Sequence, residues 1–243
     1  MGQTSLFTDL VVYDLPYITL TVFALGVAWR LQRWMTAPKD LDPIKLDAAA
    51  SLKYILLDAI LLRKQFKADK LSWTLVFSFH MCVYGIGFGH LRGFGVWSAS
   101  LFAPLGAGFE DWIVYVFPIY VGYFFIGTLV AILARRILLE RRKQLMSIPE
   151  DYVILVLLLA VAVLGQGTRV LPPGTVTPQV YDVTFFGLIT LHLEKVPNEL
   201  WLDLHLFTSQ LLIMYIPFSK LVHMFSGVVT PAFYGSRRKE IGV

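Results

Sequence analysis

Five long apolar runs, at roughly 17–35, 71–91, 112–134, 152–171 and 201–225, organise the chain. At about 1.5 Å per residue, a helix of about 20 residues crosses the roughly 30 Å hydrocarbon core of a bilayer. The run YVILVLLLAVAVLGQGTRVL is the cleanest, and WIVYVFPIYVGYFFIGTLVAILA stops abruptly at Arg135 and Arg136. The pattern predicts five transmembrane helices. Between the first two, Leu46, Ala49, Ala50, Tyr54, Leu57, Leu61 and Leu62 recur at helical spacing, and Lys45, Lys53, Arg63, Lys64 and Lys67 stand among them. That predicts an amphipathic helix at about 43–67 on the membrane surface, either resting on anionic lipid or serving as a platform for a cytoplasmic subunit. The longest stretches outside the runs, 36–70 and 172–200, are too short for an independent catalytic domain. One membrane domain over 1–243, ending in a basic tail at 227–243, is the expected organisation.

The cations orient the runs. Of the 21 Lys and Arg, eighteen fall at the end of the first run and in the loop after it, in the loop after the third run, or at the end of the fifth and in the tail, and Met1–Leu15 holds none. Only Arg92, Arg169 and Lys195 fall on the other side. The positive-inside rule then places the N-terminus outside and the C-terminus in the cytoplasm, in an inner (cytoplasmic) membrane. No basic segment precedes the first run, so no cleavable signal peptide is expected.

Composition narrows the chemistry. With 56% hydrophobic and 16% charged residues, the chain is too apolar for an ordinary soluble enzyme. The net charge of +4 flanks apolar runs and does not form a nucleic-acid surface. Cys82 is the single cysteine, which excludes a disulfide scaffold, covalent haem attachment and an iron–sulfur cluster held by this chain.

Histidine is the residue that points to a site. His80 and His90 fall in the second run, His205 and His223 in the fifth, and His192 in an outer loop. Ionisable side chains inside spans are costly and mark function. Two histidines on each of two antiparallel helices are the minimum set for two bis-histidine haems, with His80 and His223 nearer the cytoplasm. On a straight helix His205 and His223 share one face about 27 Å apart, whereas His80 and His90 are about 15 Å and about 80° apart. A hydrogen-bonded core or a proton relay is the competing use. Gly85, Gly87 and Gly89 either let a porphyrin approach the backbone or, through the Gly85–Gly89 spacing, form a helix-packing face. Pro217 is expected to kink the fifth run.

The segment LWLDLHLFTSQLLIMYIPFSKLVHMFS, together with the ten-residue step from His80 to His90 and Gly89 directly before His90, resembles a family of cytochrome b subunits. That family includes the respiratory nitrate reductase gamma subunit, DsrM of sulfur-metabolising bacteria and HdrE of heterodisulfide reductase. The resemblance covers roughly residues 10–226. It implies an all-α five-span bundle around two stacked b haems, one on His80 and His223 and the other, on the outer side, on His90 and His205. It also implies exchange of electrons with quinone at the outer side. The implied partner is a cytoplasmic iron–sulfur subunit, DsrK- or HdrD-like or nitrate reductase beta-like, with further membrane and outer-side cytochrome subunits as additional candidates. The stretch SLKYILLDAILLRKQFKADKLSW resembles the DsrM and HdrE branches, so a role in sulfur metabolism is favoured over nitrate reduction. Where nitrate reductase gamma subunits place a lysine after the second span, this chain has FAPLGAGFEDW, with Glu110 and Asp111, and its nearest cation is Arg92. Arg92 and Lys220 are candidate partners of haem propionates; interfacial anchoring is the plainer use of each. A transporter subunit, or a haem-free scaffold for cytoplasmic partners, is the alternative from another class.

Overall fold

The computed structural model describes residues 5–36, 45–92, 95–139, 147–171 and 199–240, and among these there is no β-strand. His192, Lys195 and most of the loop at 172–200 lie outside them. Four helices, Leu6–Thr36, Lys70–Leu91, Ala107–Leu138 and Pro149–Val170, are long and apolar enough to cross a membrane. A fifth candidate is a bent pair, Leu200–Phe218 and Lys220–Lys239, whose axes turn by 77°. The spans predicted at 71–91 and 152–171 agree to within three residues, while the first begins at Leu6, about three turns earlier than 17.

The surfaces of these helices belong in lipid. On the Phe117–Ala134 segment, Phe125 and Leu129 are buried, whereas Tyr120 and Phe124 are 66% and 58% exposed. An apolar helix that leaves its outer stripe bare is stable where the solvent is hydrocarbon. Two prolines shape the spans without ending them. Pro16 and Pro118 each follow a π-helical turn, Leu10–Asp14 and Trp112–Val116, and the helix continues past both. The wide turn absorbs the missing N–H and the clash of the ring with the preceding turn.

The chain falls into two compact units. The first comprises Met1–Leu20 and Ser78–Ile213. Its apolar centre is Cys82, Phe125 and Leu129, with Phe79, Leu155 and Leu158 packed around them. Polar pairs fix the helices where lipid offers no hydrophobic drive. Thr8 Oγ1 donates to Asp203 Oδ2 at 2.7 Å, Thr19 Oγ1 to Gln210 Oε1 at 3.2 Å, and Gln210 Nε2 to the Val11 carbonyl at 2.9 Å. Gln166 Nε2 donates to the Ile119 carbonyl at 3.1 Å, in the space that Gly122 leaves open.

The second unit comprises Thr21–Phe77 and Met214–Val243. The helix expected over 43–67 is divided: Ala48–Tyr54 runs into a π-helical turn, Ile55–Ile60, and Leu62 at φ 51° breaks it before Arg63–Ala68. The segment expected as a tail is the helix His223–Glu240. It packs on the 48–60 helix through Gly235, where an added Cβ would sit 2.6 Å from Tyr54 Cδ2 and 2.9 Å from the Ala50 carbonyl oxygen. Ser51 Oγ donates to the Ala232 carbonyl at 3.2 Å, and Asp47 forms an ion pair with Lys239. The hydrogen bond from Lys239, assisted by the Ala50 N–H, holds the Asp47 carboxyl below its ordinary value.

Pro217 does more than kink the fifth run. Ile216–Phe218 is a 3₁₀ turn, Ser219 is extended, and its Oγ accepts from the Leu221 N–H at 3.2 Å to start a new helical segment. The turn is held by Arg30 Nε, which donates to the Pro217 carbonyl at 3.1 Å. Gly26 makes room for it, since a Cβ there would meet Pro217 and Phe218 at 2.8 Å.

Candidate functional site

The four candidate histidines arise from three helical segments. His80 and His90 lie on Lys70–Leu91, His205 on Leu200–Tyr215, and His223 opens His223–Glu240. The straight helix expected to carry both His205 and His223 is broken at 216–219, so the shared face inferred from their 18-residue spacing does not hold. His80, His90 and His205 belong to the first unit, and His223 belongs to the second.

Three imidazoles share one hydrogen-bonding arrangement. His90 Nδ1 lies 2.8 Å from the Ile86 carbonyl, His205 Nδ1 3.0 Å from the Val161 carbonyl, and His223 Nδ1 2.8 Å from the Lys220 carbonyl. A carbonyl only accepts, so Nδ1 donates in each case and Nε2 carries the lone pair. A donated Nδ1–H that fixes ring and tautomer is the arrangement that supports an imidazole binding metal through its other nitrogen. His80 is half-buried, with its ring edge-on to Phe79 at 5.1 Å and tilted against Tyr84 at 6.3 Å.

His90 and His205 are brought within coulombic range of one another, and Arg169 is within that range of both. His205 is only 9% exposed. Its ring lies against Gly165, where an added Cβ would be 2.7 Å from Cε1 and 3.0 Å from Nδ1. The side chain of Trp201, one turn earlier on the same helix, lies in the same way over Gly167. The small residues near the end of Pro149–Val170 therefore seat the helix that carries His205.

Around His90 the surface is bare. A Cβ added at Gly85, Gly87 or Gly89 would meet nothing within 4 Å, and Tyr84 and Phe88 are 50% and 45% exposed. The Gly85–Gly89 spacing is thus not a packing face against any described helix of this chain. It leaves an open, apolar strip beside His90, suited to a flat macrocycle. The Trp97 ring stacks on Phe88 at 4.9 Å, and its Nε1 donates to the Phe88 carbonyl at 2.7 Å, closing one side of the strip.

Among the described residues there is no group of three or more His, Cys, Asp or Glu that could cage a metal ion. A bis-histidine haem asks for less: one lone-pair nitrogen from each of two helices and room for the ring. The His90–His205 pair and the bare glycine strip fit that request. Arg92 is half-buried, two residues after His90, and Lys220 is exposed, its carbonyl engaged by His223. Glu110 and Asp111 lie on the short helix Ala107–Asp111.

Several features escaped the sequence reading: Val161, Gly165 and Arg169 beside His205, and Asp203, which is 2% exposed with Oδ1 lacking a hydrogen-bond partner. The signal for the first group was the polar, glycine-bearing GQGTR at the end of an otherwise apolar run.

The family model described as nitrate reductase gamma subunit matches residues 64–240, a stretch containing all four candidate histidines. No curated protein sequence matches the chain.

Proposed function

The chain belongs to the nitrate reductase gamma subunit family, and from that premise we propose that it is the two-haem membrane subunit of a quinone-linked oxidoreductase. The family is one of membrane cytochrome b subunits of redox complexes, and a multi-pass membrane protein with few buried charges suits it. His90 and His205 hold the outer-side haem, and His80 and His223 the cytoplasmic-side one. Bound haem supplies a one-electron carrier. The chain's own residues orient and shield it: the carbonyls of Ile86, Val161 and Lys220 aim the rings, Gly85 and Gly89 leave room, and the apolar helices exclude water. Arg92 and Lys220 are the cations nearest in sequence to His90 and His223.

Electrons pass between quinone at the outer side and a cytoplasmic iron–sulfur subunit, because one cysteine cannot hold a cluster here. The helical link over 48–68 favours the DsrM-like branch, with a DsrK- or HdrD-like partner and a place in sulfur metabolism. In the nitrate reductase alternative the partner is a beta-like subunit. The observation that carries the haem reading is the shared donation of Nδ1–H to a carbonyl at His90, His205 and His223. The test is a pyridine haemochrome assay with iron counting on the purified chain, beside His90→Ala and His223→Ala. About two protohaems in the wild type, with a loss in each variant, is expected. A colourless wild type made with ample haem overturns the proposal and favours a scaffold or a transporter subunit.

A further inference from the structure

The helix Pro149–Val170 supplies no histidine, yet its Val161 and Gly165 border His205. Val161, Gly165 and Arg169 follow one another at intervals of four, which places them on one side of the helix with a rise of about 6 Å per step. The Val161 carbonyl accepts from the ring and Gly165 lies against it. Arg169 stands one turn further along the same side, in the last turn of the helix. We propose that Arg169 is the cation of the His90–His205 site, where it pairs with a carboxylate of the haem held there and raises that haem's reduction potential. A guanidinium suits this because it stays charged and meets a carboxylate through two parallel N–H groups. A positive charge beside a haem favours the reduced form, which carries one unit less positive charge. Arg169 is exposed and lies within coulombic range of both imidazoles. Arg92, two residues after His90, is the other candidate for a propionate partner, with interfacial anchoring as its plainer use.

The inference rests on the two-haem reading, and one set of measurements separates the two. Full-length wild type, Arg169→Gln and Arg169→Lys are purified in nanodiscs, haem is counted, and each haem is titrated optically and by electron paramagnetic resonance. His90→Ala identifies the outer haem by its missing wave. In Arg169→Gln the reduced-to-oxidised ratio of the outer haem at fixed potential is expected to fall about tenfold, about 59 mV for one electron. The other haem stays unmoved, and Arg169→Lys keeps most of the wild-type potential. Loss of the outer haem in Arg169→Gln but not in Arg169→Lys also supports the proposal. Two haems with unmoved potentials in Arg169→Gln overturn it, as does equal loss in both variants. Absence of haem from the wild type overturns the two-haem reading instead.

Discussion

Gly165→Ala tests the seating of His205 with one added carbon. The new Cβ would lie 2.7 Å from Cε1, 3.0 Å from Nδ1 and 3.3 Å from Nε2 of the imidazole, whereas ordinary contact begins at 3.4 Å. The ring therefore has to retreat by about 0.7 Å, in a direction that takes Nδ1 away from Gly165. The hydrogen bond to the Val161 carbonyl starts at 3.0 Å and cannot survive such a shift. An off-rotamer imidazole costs about 0.5–1.5 kcal/mol, and a buried donor left unsatisfied costs about 1–3 kcal/mol. A helical alanine in place of glycine returns up to about 1 kcal/mol of propensity. The net loss of about 1–3 kcal/mol falls on the orientation of one ligand, so affinity for the haem on His205 drops about tenfold to a hundredfold. The assay is haem content and the visible spectrum of the purified chain under limiting haem. Gly127→Ala is the control, because a Cβ there meets nothing within 4 Å. A Gly165→Ala protein that keeps both haems with the wild-type spectrum under limiting haem would refute the reasoning.

Three further outcomes follow from the packing. Gly235→Ala drives a Cβ against Tyr54 and the Ala50 carbonyl, a backbone atom that cannot rotate away. It should cost about 1–3 kcal/mol and expose the His223–Glu240 helix to limited proteolysis while the spans stay protected; unchanged protection of that helix would count against the contact. The Asp47–Lys239 pair should respond to acid with a definite sign. Its carboxyl is held below the ordinary 3.8, so its contribution is present above that pH and is lost as pH falls through the depressed value. Hydrogen exchange in the 223–240 helix should therefore be flat near neutrality and rise only under strongly acidic conditions, and a rise at pH 5–7 would assign the docking to another group. Gln210→Leu removes the bonds to Thr19 and to the Val11 carbonyl. At about 0.6 kcal/mol per interhelical bond it should lower unfolding stability by about 1 kcal/mol, measured by thermal scanning in detergent, and a gain in stability would sink that account.

The candidate histidines were legible in the sequence because they rest on residue type: four histidines in apolar runs stand out when ionisable groups there are costly. What positions them was not legible, because it depends on which residues meet across helices. Gly85 and Gly89 carry a packing signature and face open space, while Gly165 and Gly167, with no such signature, take His205 and Trp201 against them. A glycine shows that a side chain is missing and does not show what fills the gap. The amphipathic stretch at 43–67 was visible from its period, but its break at Leu62 was not, since a left-handed leucine leaves no mark on a hydrophobicity pattern.

The prolines show the same limit at the level of the backbone. Pro16, Pro118 and Pro217 all sit in apolar runs, and each removes an N–H and crowds the preceding turn. At Pro16 and Pro118 a π-helical turn takes up the extra room and the span goes on. At Pro217 the helix tightens into a 3₁₀ turn and ends at the extended Ser219. The difference lies in what receives the freed backbone. Ser219 supplies its own cap to the next segment, Arg30 takes the Pro217 carbonyl, and Gly26 accepts the displaced ring and Phe218. Next to Pro118, Ile119 instead lends its carbonyl to Gln166 and stays within the helix. A proline thus breaks a span where other residues stabilise the break, and one of them, Arg30, lies 187 positions away in the sequence. The consequence is functional. The break sets His223 at the start of a new helix, with Nδ1 held by the carbonyl of Lys220 in the first turn after the break, so the orientation of this imidazole is fixed by the turn itself. Replacing Arg30 with methionine should therefore disturb the haem proposed for His223 while leaving the one proposed for His205 intact, a separation that optical titration can read.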